Sequence, residues 1–133
     1  MKVVAPGLYR GPRPTCRELA DREIASVLNL ESWLYEWVHG TVYAPIREFR
    51  VPMGGIFPPT RGKLAAAVAL MKDVRLRPFL VHCREGVDRT GLVVAAYRTW
   101  VQGWSVEAAY REMLDEGFHR GRYFYWPVRR LLS

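Results

Sequence analysis

An α/β domain, a short sheet with helices on both of its faces, is the fold class this sequence predicts. Two observations carry that expectation. Short apolar runs of strand length alternate with capped, helix-length stretches, and the later half of the chain is helical in pattern. In addition, no repeat, low-complexity segment or interdomain linker divides the chain, so residues 1–133 read as one domain. The Pro/Gly clusters at Pro6-Gly7, Gly11 to Pro14 and Gly54 to Pro59 serve as punctuation within it.

The strands come first. Leu8-Tyr9-Arg10 follows a turn, and Ile24 to Leu30 is mostly apolar. Val42 to Val51 holds a further stretch, weakened by Pro45. Phe79-Leu80-Val81-His82, preceded by Pro78, has the brief apolar character of a central strand. Thr15 can cap a helix through about Arg22. Thr60 can cap a longer one through about Val74, with Leu64, Val68 and Met71 on one face. A third helix is expected from Arg89 to Val101, with Gly103 as its stop. Ser105 then caps a helix ending near Gly117, with Glu107 in its first turn where the macrodipole favours a carboxylate. A last helical segment follows near Tyr123, with Pro127 in its first turn or breaking it.

Composition narrows the class. The 133 residues suffice for a real hydrophobic core, and 50% hydrophobic with 25% charged residues is an ordinary globular balance. Two cysteines, Cys16 and Cys83, imply no disulfide framework and suit a reducing compartment. Pro6 and Gly7 interrupt the first residues before a signal-peptide core can form, and no apolar run approaches the roughly 20 residues that span a bilayer. A cytoplasmic protein without a transmembrane segment is the expectation. The formal charge is +7, with 17 Arg against 3 Lys. Guanidinium forks match phosphate geometry, so an anionic partner is possible, although scattered surface arginines would give the same count.

The segment richest in chemistry is Val81-His82-Cys83-Arg84-Glu85-Gly86-Val87-Asp88-Arg89-Thr90-Gly91, between an apolar strand and an apolar helix. A strand-loop-helix junction aims a helix N-terminus, with its unpaired N–H groups, at whatever the loop encloses. Arg84 to Asp88 are enough to curl into a cradle, and Gly86 allows backbone closed to residues with a Cβ. The candidate phosphate-binding residues are therefore Arg84, Glu85, Gly86, Val87, Asp88 and Arg89. Cys83 lies in the field of the amides, the helix dipole and Arg89, which favours a thiolate able to attack phosphorus and form a phosphocysteine. Arg89 can hold two phosphoryl oxygens bidentately. Thr90 can donate its hydroxyl to the thiolate as it leaves, and Gly91 would permit close approach of loop and helix. His82 and Cys83 face opposite ways on a strand, so they are poor joint metal ligands, and His82 is read as ordering the loop.

The pattern His82-Cys83-x-x-Gly86-x-x-Arg89-Thr90-Gly91 resembles the signature of the protein tyrosine phosphatase superfamily, dual-specificity branch. Leu8 to Pro14 is similar to the opening of the small atypical plant-and-fungal type, and Ser26 to Leu30 to the strand that follows it. The resemblance implies a four- or five-stranded sheet flanked by helices and cofactor-free, metal-free hydrolysis of phosphomonoesters. The implied substrates are phosphotyrosine-type or dual-specificity phosphoproteins, or phosphoinositides and inositol phosphates. One departure stands out. Such proteins usually carry an Asp general acid on a loop upstream of the cysteine, and Val51 to Pro59 here contains no acid. Glu48, Glu85 and Asp88 are the remaining candidates. An Asp at the place of Asp88 resembles bacterial phosphatases that accept phosphoinositides, and its part is either proton transfer and water positioning or simply bonding to neighbours.

Other readings stay open beside this one. The missing loop Asp admits a catalytically weak phosphate-binding module, a pseudophosphatase, and the charge admits an RNA 5′-phosphatase, with nucleic acid the lesser partner. Sulfur transfer on a rhodanese-like loop competes less well. Cys16 is read as an isolated structural thiol rather than a redox partner of Cys83. His39 and His119 are read as surface or helix-end residues. Arg120 to Trp126 is read as a helix burying rings and exposing arginines, and Trp33, Trp37, Trp100 and Trp104 as core or groove walls.

Overall fold

The computed structural model describes residues 1–32, 46–54, 58–119 and 125–133, with only the backbone of residues 125 and 126. Its centre is a five-stranded sheet of β1 (Lys2–Ala5), β2 (Leu8–Gly11), β3 (Ser26–Asn29), β4 (Arg47–Arg50) and β5 (Phe79–His82), in the order β1-β2-β5-β3-β4. β1 pairs antiparallel with β2, and the other pairings are parallel. The helices are α1 (Cys16–Asp21), α2 (Arg61–Lys72), α3 (Asp88–Trp100), α4 (Val106–Asp115) and α5 (Tyr125–Leu132), with a 3₁₀ turn at Val74–Leu76.

Register places the site. Gly11 and Asn29 both lie opposite His82, and Arg50 lies opposite Asn29. Four parallel strands thus end level, and the segments that follow them emerge together at one edge, where open α/β sheets present their ligands. Side-chain alternation divides the core in two. Leu8, Leu28, Phe79 and Val81 pack on one face with buried residues of α2, α3, α4 and α5, whereas Val27 and Leu80 pack with Leu19 of α1 and Ile24 on the other. The expected helices on both faces of a short sheet are present.

The caps behave as their residue types dictate. Thr15 Oγ1 accepts the Glu18 N–H at 3.1 Å, and Glu18 Oε1 accepts the Thr15 N–H at 3.2 Å, a capping box. Thr60 accepts the Lys63 N–H at 3.2 Å and Ser105 the Ala108 N–H at 3.1 Å. α3 differs: its N-cap residue, Val87, makes no side-chain cap hydrogen bond to the first turn.

Several boundaries depart from the sequence reading. β1 is an additional strand, because the Pro6-Gly7 turn, with Gly7 at φ +72°, returns Lys2–Ala5 against β2. The strand within Val42 to Val51 is limited to Arg47–Arg50 among the described residues. α2 ends at Lys72, where the Asp73 carboxylate accepts the Arg75 N–H at 3.0 Å and starts the 3₁₀ turn. α3 begins one residue early, at Asp88. Pro127 is accommodated in the first turn of α5, which buries Val128 and Leu132 and leaves Arg130 exposed. Trp100 is half-buried, donating Nε1–H to the Leu132 carbonyl at 2.7 Å under the Arg61 guanidinium. Trp104, read as a core or groove wall, is not in the core. It lies beyond the Gly103 turn at 36% exposure, with Arg98 over its ring at 4.6 Å. Trp33, Trp37, His39 and Arg120 to Phe124 lie outside the described residues.

Candidate active site

Cys83 follows the last residue of the central strand and is only 2% exposed. Thr90 Oγ1 donates to its Sγ at 3.0 Å, and the Gly86 N–H donates at 3.2 Å. The sulfur thus faces two donors, one from the loop it opens and one from the first turn of α3, an environment that suits a negative centre. A cavity of about 150 Å³ stands over it, lined by Cys83, Arg84, Glu85, Asp88 and Arg89. Gly86 and Val87, also expected to hold phosphate, are not among the lining residues. Gly86 turns its N–H to the sulfur, and the Val87 side chain packs towards Gly117.

The cradle is braced from β2 and the segment after it. Gly86 has φ +74°, and a Cβ there would lie 2.4 Å from the Gly11 carbonyl carbon and 2.5 Å from the Pro12 nitrogen. The buried Arg10 points a guanidinium N–H at the Gly86 carbonyl, 3.4 Å away, while the Arg13 N–H donates to the Arg84 carbonyl at 3.1 Å. Burial lowers the affinity of Arg10 for its proton, and the charges of Glu116 and Glu112 act the other way. Gly91 has less to do than expected: a Cβ there would meet Arg10 Nη2 at 3.7 Å, an ordinary contact.

A second bracing group stands behind the cysteine. Arg13 donates through Nε to Glu31 Oε2 at 2.9 Å and through Nη2 to Oε1. Burial pushes the Glu31 carboxyl upwards, but the hydrogen bonds and charge of Arg13, with His82 and Arg89 beyond, hold it below the usual carboxylate range. His82 is fully buried, with Nδ1 3.3 Å from the Cys83 carbonyl oxygen, which fits the loop-ordering role. Burial drives its pKa down to about 4, so the ring is neutral at pH 7. Arg89 donates Nη1–H to the Met53 carbonyl at 3.2 Å. The acid-free stretch from Val51 thus supplies a carbonyl anchor for Arg89.

The carboxylates separate clearly. Glu85 and Asp88 line the cavity, whereas Glu48 sits on β4, 3.5 Å from Arg50, and is not brought to the cradle. Asp88 accepts the His119 N–H at 3.0 Å and lies 2.9 Å from His119 Nδ1. His119, read from sequence as a surface or helix-end residue, is therefore part of the site. It is remote in sequence, and no spacing pattern joins it to Asp88. Arg10, Arg13, Glu31 and Met53 were missed as well. For Arg10 and Glu31 a signal exists, since each is a charge in or just after an apolar strand. Cys16 is exposed at the start of α1, and no disulfide joins it to Cys83. Among the described residues, no group of three potential ligands could hold a metal ion.

A buried thiol, a hydroxyl and a backbone N–H donating to it, and an arginine around one phosphate-sized space define the cradle of the cysteine phosphatases. The family described as "Tc-R-P: Polymorphic toxin system, DSP-PTPase phosphatase" matches residues 3–103, and the chain belongs to it. The dual specificity protein phosphatase TpbA of Pseudomonas aeruginosa is 32% identical over 119 residues, covering 86% of this chain and 53% of that protein. The inositol diphosphatase DSP5 of Arabidopsis thaliana is 30% identical over 122 residues, covering 83% and 58%. The chain thus spans about half the length of the curated relatives it matches. Among solved structures, P. aeruginosa TpbA superposes with a TM-score of 0.70 at 26% identity, covering 96% of this chain and 87% of that one. The catalytic core of the PP-IP phosphatase SIW14 from S. cerevisiae superposes at 0.79 and 23%, covering 99% and 84%, which shows the shared fold. The dual-specificity resemblance and the fold class expected from sequence are borne out.

Two outcomes follow from this geometry. Gly86→Ala combines a positive φ with a backbone clash and should cost more than about 3 kcal/mol in urea unfolding, while Gly91→Ala should leave stability unchanged or raise it by up to about 1 kcal/mol. The reverse order would show that the cradle can yield at Gly86. For His82, the unfolded chain takes its proton near 6.5 and the folded chain only near 4, so stability falls as the pH drops through that window. The loss between about pH 7 and pH 5 should be about 2 kcal/mol, measured by urea midpoints, and His82→Asn should flatten it.

Proposed function

We propose that the chain is a cysteine-dependent phosphomonoesterase acting through a phosphocysteine intermediate, with residues 1–133 forming one catalytic domain. The observation that carries this reading is the buried Cys83 Sγ beneath the cavity, bonded by Thr90 Oγ1 at 3.0 Å and the Gly86 N–H at 3.2 Å. In the first step the thiolate attacks phosphorus, the P–S bond forms, and the ester P–O bond breaks as the leaving oxygen takes a proton. Arg89 exchanges the Met53 carbonyl for phosphoryl oxygens and complements their charge. In the second step water attacks phosphorus and loses a proton, the P–S bond breaks, and the Thr90 hydroxyl stabilises the departing thiolate. His82 keeps the loop ordered. Asp88 serves proton transfer or water positioning, with Glu85 the other carboxylate at the rim. As written, the reaction uses no cofactor.

Two substrate classes fit, phosphorylated protein and inositol phosphates or phosphoinositides. TpbA is named a dual specificity protein phosphatase, and DSP5 an inositol diphosphatase. Arg84, exposed at the rim, suits a substrate with further negative charge. A pure binding module would have no need of a nucleophile held by two donors, which weighs against the pseudophosphatase. An RNA 5′-phosphatase is the lesser alternative. No helix among the described residues is long and apolar enough to cross a membrane, and we assign the protein to the cytoplasm, where a nucleophilic thiol stays reduced.

Phosphate release from p-nitrophenyl phosphate and from an alkyl phosphate tests the reading. Wild type should cleave both, and Cys83→Ser should fall to background on both. An activated phenol leaves without protonation whereas an alkoxide needs an acid, so cleavage of the aryl ester alone would remove the proton-transfer role from the rim carboxylates. No release from either by wild type would replace the enzyme by a binding module.

A further inference from the structure

We propose that His119 is a positioning residue of the cradle: it holds the Asp88 carboxylate at the rim, out of the phosphate seat and within reach of the attacking water. The proposal deepens the phosphatase reading above and rests on it.

Asp88 is the first residue of α3, is 9% exposed and lines the cavity. His119 grips it twice. Its backbone N–H donates to Oδ1 at 3.0 Å, and its Nδ1 lies 2.9 Å from Oδ2 and 3.1 Å from Oδ1. With an ionised carboxylate, Nδ1 carries the proton and the ring is held in one tautomer. His119 is delivered by a firm element. After α4, Gly117 takes φ +98° and the Phe118 N–H donates to the Met113 carbonyl at 2.9 Å. Phe118 is buried, edge-on to Tyr110 at 6.4 Å. The ring outside this anchor is 59% exposed, and its Nε2 makes no hydrogen bond among the described residues.

The contact matters because of what Asp88 would otherwise do. A carboxylate in the first turn of a helix is drawn to the positive N-terminal end of the helix dipole, and Val87 supplies no competing side-chain cap. Arg89 is the next residue and would draw it as well. Either contact would fill the seat of the phosphate with a resident anion. Two N–H groups from His119 outweigh that alternative and fix the carboxylate beside the seat. There it can take the proton of the water whose oxygen attacks the phosphocysteine, while the P–S electron pair returns to Cys83.

His119→Ala should lower kcat on an alkyl phosphate about tenfold, with Tm changed by less than about 2 °C. His119→Asn, whose Nδ2–H stands where the ring Nδ1–H stood, should recover to within about threefold of wild type. In the Asp88→Asn background, His119→Ala should have no further effect. An unchanged kcat in His119→Ala, a loss that Asn does not restore, or additivity with Asp88→Asn would overturn the proposal. Should wild type show no turnover, the phosphatase reading fails, and the contact is read by ¹⁵N NMR during titration with inorganic phosphate. The His119 Nδ1 resonance should then shift on phosphate binding in wild type and not in Asp88→Ala, and no shift in wild type overturns it.

Discussion

The site depends on one close approach, the Gly86 backbone laid against the Gly11–Pro12 peptide. A methyl group at Gly86 would sit 2.4 Å from the Gly11 carbonyl carbon, so the loop can curl only where a residue without a Cβ meets the end of β2. That contact turns the Gly86 N–H to Cys83 Sγ and leaves the Gly86 carbonyl to Arg10. The sheet register makes the approach possible, because Gly11 lies opposite His82 at the same edge. β2 and β5 therefore act as one platform, and the Arg13 N–H bond to the Arg84 carbonyl ties their two loops together.

A cradle rich in arginine has its own difficulty, which is repulsion among cations before any phosphate arrives. The structure answers with carboxylates placed behind the loop. Glu31 binds Arg13 through both oxygens, and Glu112 stands 4.0 Å from Arg10 and 3.1 Å from Arg98. These are partly buried pairs, whose function is to hold arginine orientation more than to add stability. His82 contributes by remaining neutral, since a charged ring behind Cys83 would add to the same excess.

Much of this was legible in the sequence because it is local. Thr15, Thr60 and Ser105 announce their helices through residue type alone, and the spacing from His82 to Gly91 carries the loop, its cysteine and its arginine. What was not legible is pairwise and distant. β1 depends on a turn whose partner strand is visible only in three dimensions. His119 meets Asp88 across 31 positions and Arg89 meets Met53 across 36, contacts without a local pattern. Gly91 erred in the other direction: membership of a motif suggested tight packing where the structure leaves room for a methyl group.

On the proposed phosphatase reading, the partner chosen for Arg89 explains how a preorganised site can still open to substrate. Its hydrogen bond goes to the Met53 carbonyl, a neutral acceptor, while Glu31 is bonded by Arg13. A phosphate dianion outcompetes a carbonyl for a guanidinium, because charge-assisted bonds are roughly twice as strong as neutral-acceptor ones. A carboxylate in the place of the Met53 carbonyl would be a genuine competitor, and its displacement would leave an unpaired charge in a half-buried setting. The free site thus keeps its arginine ordered without an internal anion to expel. Asp88 lines the cavity together with Glu85 and is near enough to spoil that arrangement, and His119 is bonded to it at both oxygens. On the proposed reading, cation placement, anion restraint and the N-terminus of α3, which Val87 leaves without a side-chain cap, then act in the same sense, keeping the seat above Cys83 for an anion brought from outside.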